Sequence, residues 1–204
     1  MREKEKRKET VMNIGIDLDG VIFDSEKWFR VESCFYNEKL SDKDMINPEE
    51  IKAFKRYDWS KEQENIFLKE VLIEIEKNAP LMYKAKEVID YFQSCGHKIY
   101  IITSRGLVFP EEIKISLDRL KCEGINYEKF IHSTEDKESA CSELGIDVMI
   151  DDYYDFAKKI GEHGIKCLYF RGDTLKTINH PNVIEVRNWG DIYIEIKKLC
   201  KTKK

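Results

Sequence analysis

The 204-residue chain has no C-x-x-C pair, no His/Cys cluster at zinc spacing, no internal repeat and no uncharged apolar run of the roughly 18 residues that cross a bilayer. Its six cysteines (Cys34, Cys95, Cys122, Cys141, Cys167 and Cys200) stand singly. A disulfide framework is therefore not expected; reduced thiols acting as small core hydrophobes, in a cytoplasmic protein, are. A basic excess is also missing. Lys+Arg number 35 against 39 Asp+Glu, a net charge of −4, which argues against a dedicated nucleic-acid binder. Met1 to Thr10 alternate basic and acidic residues without an apolar stretch, so they read as a charged, frayed leader rather than a secretory signal. What is present is a chain 42% hydrophobic and 36% charged, long enough for one domain of ordinary size or for a core carrying a small insertion.

The first apolar run, Val11 to Ile16, is short and β-branched and ends in Asp17, Asp19 and Gly20, as a buried strand followed by a loop does. From residue 25 to about 79 the pattern is helical and no strand is convincing. Asn47-Pro48-Glu49-Glu50 has the form of a helix start, and Ser60-Lys61-Glu62-Gln63 the spacing of a capping box. Behind the box, Phe67, Val71 and Ile75, with Leu68 and Leu72 beside them, make one apolar helix face. After Pro80 helices and strands alternate. The expected strands are 98–102, 129–131, 148–150, 167–170 and 183–186, with helices through Val88–Phe92, from Pro110 to near Gly124, from Asp136 to Gly145 and from Tyr154 to Ile160. Such alternation implies right-handed βαβ units and an α/β fold, a Rossmann-like parallel sheet with a small helical cap inserted after the first strand.

In such a sheet ligands bind beyond the carboxyl ends of the strands, so the residues following each strand identify the chemistry. They are Asp17 and Asp19, then Thr103, Ser104 and Arg105, then Lys137, then Asp151 and Asp152. Several carboxylates at one rim require a cation, and oxygen-only ligands point to Mg²⁺. A divalent cation beside hydroxyls and an amine suits a phosphate group.

The segments Ile16-Asp17-Leu18-Asp19-Gly20-Val21, Ile102-Thr103-Ser104, Lys137 and Ile150-Asp151-Asp152 resemble, in order, the four motifs of the haloacid dehalogenase superfamily. Gly20, fourth counting from Asp17, comes too early for an EF-hand loop, where glycine stands sixth. The resemblance implies that Asp17 is the nucleophile that becomes phosphorylated and Asp19 the general acid and base. It implies Mg²⁺ held by Asp17, the backbone carbonyl of Asp19, and Asp152, with Asp151 supporting from behind. Thr103, Ser104 and Lys137 would bind the transferring phosphoryl group. An insertion at 25–79 would be a cap that closes over the site, leaving 11–24 and 80–204 as the core.

The fourth motif and Ile101-Ile102-Thr103-Ser104-Arg105 are similar to the 5′(3′)-deoxyribonucleotidases and their bacterial relatives, although the mammalian members carry Pro where Arg105 stands. Asp19 through Glu26 look as much like sugar-phosphate phosphatases and β-phosphoglucomutases. The expectation is a Mg²⁺-dependent phosphatase, foremost a nucleotidase acting on nucleoside monophosphates, neither a nucleic-acid polymer nor a membrane being its partner. A sugar phosphate is the second candidate substrate, and a phospho-accepting receiver module the non-enzymatic alternative. The cap aromatics Trp28, Phe29, Phe35, Tyr36, Tyr57 and Trp59 either stack on a base or fill the cap's own core. Arg105 either binds substrate or covers surface. His132 is expected to be an ordinary loop residue.

Overall fold

Six short apolar runs become six strands of one parallel sheet: β1 (Asn13–Ile16), β2 (Lys98–Ile102), β3 (Lys129–Ile131), β4 (Val148–Asp151), β5 (Lys166–Phe170) and β6 (Val183–Val186). The structure is a computed structural model that describes residues 10–40, 44–172 and 174–202. The leader reading thus lies, Thr10 aside, outside the described residues. Strand order is β3-β2-β1-β4-β5-β6. Ile14 pairs with Ile99 on one side and Val148 on the other. The chain runs outward from β1 in one direction and returns to build the other half from β4, so the order reverses between β1 and β4, where a crevice opens at the strand ends.

Alternation along the strands sends side chains to two buried layers. Ile99 and Ile101 join a layer with Ile89 and Phe92 of α3 (Ala85–Ser94) and Trp189, Ile192 and Ile196 of α7 (Trp189–Thr202). Tyr100 and Ile102 face a second layer with Cys141 of α5 (Lys137–Glu143) and Phe156 and Ile160 of α6 (Tyr154–Glu162). This is the doubly covered parallel sheet that its uninterrupted apolar strands require.

Between β1 and α3 lie α1 (Ser25–Lys39), a one-turn 3-10 helix (Ala53–Lys55) and α2 (Lys61–Asn78). The Ser60–Gln63 capping box forms as its spacing suggests, with Gln63 N–H donating to Ser60 Oγ and Ser60 N–H to Gln63 Oε1. The helix start expected at Asn47-Pro48 does not form. Residues 47–50 make a turn instead, closed by Glu50 N–H to Asn47 O, while Ile46 and Asn47 donate to Arg56 O. The Glu50 carboxylate takes the N–H groups of Ile51 and Lys52, and the Arg56 guanidinium takes Pro48 O. Local side chains thus satisfy the backbone that a helix would have used.

Tyr36, Tyr57, Trp59 and Phe67 pack ring against ring, and Trp59 Nε1 donates to Asn37 Oδ1. They are the interior of this segment, whereas Trp28 and Phe35 are exposed. Three cysteines, Cys34, Cys95 and Cys122, are exposed, against the expectation of core placement; the other three are buried, and all six are free. No helix among the described residues is long and apolar enough to cross a membrane. Arg119 of α4 (Glu111–Cys122) donates to the carbonyls of Glu76, Lys77 and Ala79, pinning the end of α2 to the sheet-bearing part.

Candidate active site

Asp17 follows β1 directly, and Asp151 and Asp152 end and follow β4, so the strand pair at the reversal brings three carboxylates together. One oxygen from each lies within 4.8 Å of the others, and all three residues are buried. Asp17 N–H donates to Ile150 O, which locks the two strand ends at this level. Asp136 caps α5 by accepting from Ser139 N–H, and the helix opens on Lys137, whose side chain is wholly buried beneath the acids. Its Nζ is 2.7 Å from Asp151 Oδ2 and 3.1 Å from Asp17 Oδ1, over the Phe156 ring. Asp151 also accepts Tyr153 N–H, so its two oxygens are both engaged.

The other two acids are not. Asp17 Oδ1 is buried with no hydrogen bond of sound geometry, only the ion contact to Lys137, and no donor among the described residues reaches the Asp152 carboxylate. Burial, opposed by Lys137 and reinforced by Asp151 and Asp19, pushes Asp17 up to about 6. Burial, then Glu26, Asp151 and Asp17, pushes Asp152 far above the carboxylate range. Glu26 in α1 is pushed to about 8 by burial and Asp19, and its Oε2 has no partner. Gly20, at φ +67°, leaves the space: a Cβ there would sit 1.9 Å from Asp152 Oδ2. An all-oxygen set with unsatisfied, mutually repelling carboxylates fits a hard divalent cation such as Mg²⁺. Asp17 and Asp152 are the acids free to hold it, with Asp151 engaged behind them.

Asp19 has a different partner. Arg105, 2% exposed, grips it with a guanidinium fork, Nε to Oδ2 at 2.8 Å and Nη2 to Oδ1 at 2.6 Å. Ser25 Oγ donates to Asp19 Oδ1 at 2.7 Å while accepting Gly20 N–H. Burial would raise Asp19, but the charge and hydrogen bonds of Arg105 with the Ser25 bond outweigh it and leave the carboxyl below its usual range. On the other side of Arg105, Glu76 near the end of α2 brings Oε1 to 3.5 Å of Nε. Glu76 is 1% exposed, its Oε2 is unpartnered, and burial pushes it up to about 8 against the pull of Arg105.

Asp17, Asp19, Asp152 and Ser104 open onto one cavity of about 190 Å³. Thr103 lies behind the rim, buried, its Oγ1 accepting Arg105 N–H. The lining also has an apolar part: Phe29, Ile51, Phe54, Leu72, Leu107 and Val108. Lys52 is the lysine of the 25–79 segment that lines the cavity, lying over the Tyr153 ring. Of the aromatics singled out in the sequence, Phe29 reaches the cavity. His132 is an exposed loop residue.

Glu26, Lys52, Glu76, Arg105, Glu112 and Glu135 are the charged lining residues that the four motifs do not contain. Glu76 carried a signal, since a charge next to Ile75 and one turn beyond Leu72 stands at the border of the apolar stripe of α2. Arg105 follows two hydroxyl residues at a strand end, where either role was open.

No protein-family model matches the chain. A nucleotidase from Clostridium acetobutylicum is 26% identical over 189 residues, spanning 92% of this chain and 95% of that protein. A haloacid dehalogenase-like family hydrolase from Streptococcus pneumoniae superposes with a TM-score of 0.61 at 15% identity, over 91% of this chain and 98% of that one. A Rhodobacter sphaeroides protein, CbbY, in complex with xylulose 1,5-bisphosphate, gives 0.59 at 11% identity over 89% of this chain and 96% of that one. Sheet order and these structural likenesses agree, and the chain has a haloacid dehalogenase-like fold.

Proposed function

We propose that the protein hydrolyses phosphate monoesters through a phosphoaspartate on Asp17, and that nucleoside monophosphates are its substrates. The observation that carries this reading is the Asp17 carboxylate itself: buried, open to the cavity, with one oxygen lacking a hydrogen bond, beside Lys137 and Asp152. Asp17 attacks phosphorus, and the bond to the leaving oxygen breaks as Asp19 delivers a proton to it. Asp19 then takes a proton from the water that cleaves the acyl phosphate, returning Asp17 and releasing inorganic phosphate. Resting as a carboxylate under Arg105, Asp19 is ready for the second of these steps. For the first it must take up a proton, from solvent or from the monoester as it binds, and the negative phosphoryl group drawn up beside it favours that uptake by offsetting the Arg105 charge. Lys137 balances charge on Asp17, and Ser104, on the cavity lining, orients the phosphoryl oxygens, while Thr103 behind it holds the Arg105 backbone. Mg²⁺ held by Asp17, Asp152 and the Asp19 carbonyl would neutralise phosphoryl charge.

In this reading 25–79 is a cap, and 11–24 with 80–204 the catalytic core. The cap holds the leaving group and excludes water. Nucleoside monophosphates are favoured by the apolar part of the lining, which suits the face of a base, and by the resemblance to a nucleotidase over nearly the whole chain. A sugar phosphate is the second reading, favoured by the carboxylates of Glu26, Glu76, Glu112 and Glu135 on the same lining, which can accept from sugar hydroxyls. A panel of deoxy- and ribonucleoside monophosphates, sugar phosphates and phosphoglycolate, assayed by phosphate release with and without EDTA, separates the two. Asp17→Asn should abolish release and chelation should stop it reversibly. Turnover retained by Asp17→Asn would remove the nucleophile, and a clear preference for sugar phosphates would replace the nucleotidase reading.

A further inference from the structure

We infer that Arg105 is the positioning residue for Asp19: its guanidinium fork aims the Asp19 carboxyl at the leaving oxygen and the hydrolytic water, and Glu76 ties that aim to the placement of α2. The inference rests on the hydrolytic reading above and adds to it a residue outside the four motifs.

Arg105 is itself immobilised. Its N–H donates to Thr103 Oγ1 and its carbonyl accepts Ser133 N–H, so the backbone is held at both ends. Nη1 donates to Ser116 Oγ, and that hydroxyl in turn donates to Glu112 O within α4. The Phe23 ring lies 5.4 Å from the guanidinium carbon. With Nε and Nη2 both on Asp19, three of its nitrogens are committed inside the protein, which is the arrangement of a support rather than of a group waiting for substrate. A planar fork fixes both carboxylate oxygens at once, whereas the point charge of a lysine would leave Asp19 free to rotate. Ser25, from the first turn of α1, adds a third donor to the same carboxylate. Glu76 comes from the opposite end of the 25–79 segment, some fifty residues on in the chain, and meets the same guanidinium. The placement of α2 and the orientation of Asp19 therefore share one charged hinge point.

The test compares esters that do and do not need a protonated leaving group. A nucleoside monophosphate expels an alkoxide that must be protonated, while p-nitrophenyl phosphate expels a stable phenolate. Arg105→Ala should lower kcat on the nucleotide by about a hundredfold or more, the scale of general acid–base catalysis, with KM little changed. In the first turnover, followed as release of the alcohol or phenol, it should cost far less on p-nitrophenyl phosphate, whereas hydrolysis of the shared phosphoenzyme should slow equally for both. Arg105→Lys should fall between, millimolar guanidinium should partly rescue Arg105→Ala, and Glu76→Gln should show a smaller loss of the same pattern. Equal first-turnover losses on both esters, or a rise in KM at constant kcat, would overturn the assignment, the second by making Arg105 a substrate-binding group. A crystal structure of Arg105→Lys supplies a readout that needs no activity: the Asp19 carboxylate should turn from its present orientation, and an unmoved Asp19 refutes the inference. Should the wild type release phosphate from neither ester, the hydrolytic reading fails by itself, and the Asp19 orientation still decides whether Arg105 positions it.

Discussion

Lys137 and Arg105 are both buried cations flanked by two carboxylates, yet they are built differently. Lys137 sits between Asp17 and Asp151, and all three belong to the sheet and the helix that follows β3. Arg105 sits between Asp19 and Glu76, one from the loop after β1 and one from α2. In the first cluster the second acid is also satisfied by Tyr153 N–H. In the second, Glu76 keeps an unpartnered oxygen and a strongly raised proton affinity. Each cluster thus keeps one oxygen without a hydrogen bond, Asp17 Oδ1 in the first and Glu76 Oε2 in the second. They differ in where that oxygen belongs: the first cluster is confined to the sheet ends and the helix after β3, and the second reaches into the 25–79 segment.

The comparison is broken most severely at Lys137. Lys137→Ala leaves Asp17 and Asp151 buried without a counter-charge, and the loss of one member of such a cluster costs about 3–5 kcal/mol. Urea unfolding at neutral pH should show that loss, and phosphate release should vanish with it. A Lys137→Ala protein as stable as wild type would mean that the acids simply take up protons and that Lys137 is not what holds this cluster together.

Glu76→Gln tests the other side. The folded pKa of Glu76 is raised from 4.5 to about 8, so between those values the folded state binds more protons than the unfolded one. Stability from this group is then largest at low pH and declines as pH rises through that window. Glu76→Gln should flatten this part of the stability–pH curve and unfold at higher temperature than wild type above pH 8. If Glu76 were merely the completing half of an ion pair, removing its charge would lower the melting temperature at every pH above 5.

Arg119 joins the two regions mechanically. It donates to three carbonyls at the end of α2, and the loss of such charged hydrogen bonds in Arg119→Ala is worth about 2–3 kcal/mol. Because Glu76 is one of the three residues whose carbonyl it holds, this variant should also loosen the contact between Glu76 and Arg105. Denaturant unfolding checks the first effect. Faster hydrogen exchange at Lys77 to Ala79, without change in β1 and β4, checks the second.

How much of this was legible in the sequence follows the same division. The strands and the helices between them could be read from 98 to 186 because each apolar run is short, β-branched and bounded by glycine or a cap. The expectation ended at β6, although Trp189, Ile192, Ile196 and Cys200 recur at helical spacing and form the buried stripe of α7. Asp17, Lys137, Asp151 and Asp152 could be anticipated to meet because topology alone puts strand ends at one rim. The partner of Arg105 could not be anticipated, because whether α2 reaches back to β2 depends on packing. Asn47-Pro48 misled because helix-start residues are also turn residues, and the Glu50 carboxylate and Arg56 decided the outcome. The aromatics of 25–79 were undecidable from spacing, as Tyr36, Trp59 and Phe67 fill an interior while Phe29 faces the cavity.

The smallest expected effect asks whether the two regions unfold together. Ser60→Ala removes one half of the capping box at the start of α2, far along the helix from Glu76, and should cost about 1 kcal/mol. Phe67, Leu72 and Ile75 of α2 belong to the same continuous buried cluster as Ile16, Ile101 and Trp189 of the core. If that continuity makes one cooperative unit, the whole transition should shift to lower denaturant with an unchanged m-value, and exchange in β1 and β4 should accelerate by the same free energy as exchange in α2. If the 25–79 segment opens by itself, protection should fall in α1 and α2 alone while the sheet stays at wild-type protection. In that case the contact between Glu76 and Arg105 is made and broken without unfolding the core, and the unsatisfied group in that cluster belongs to an element that moves.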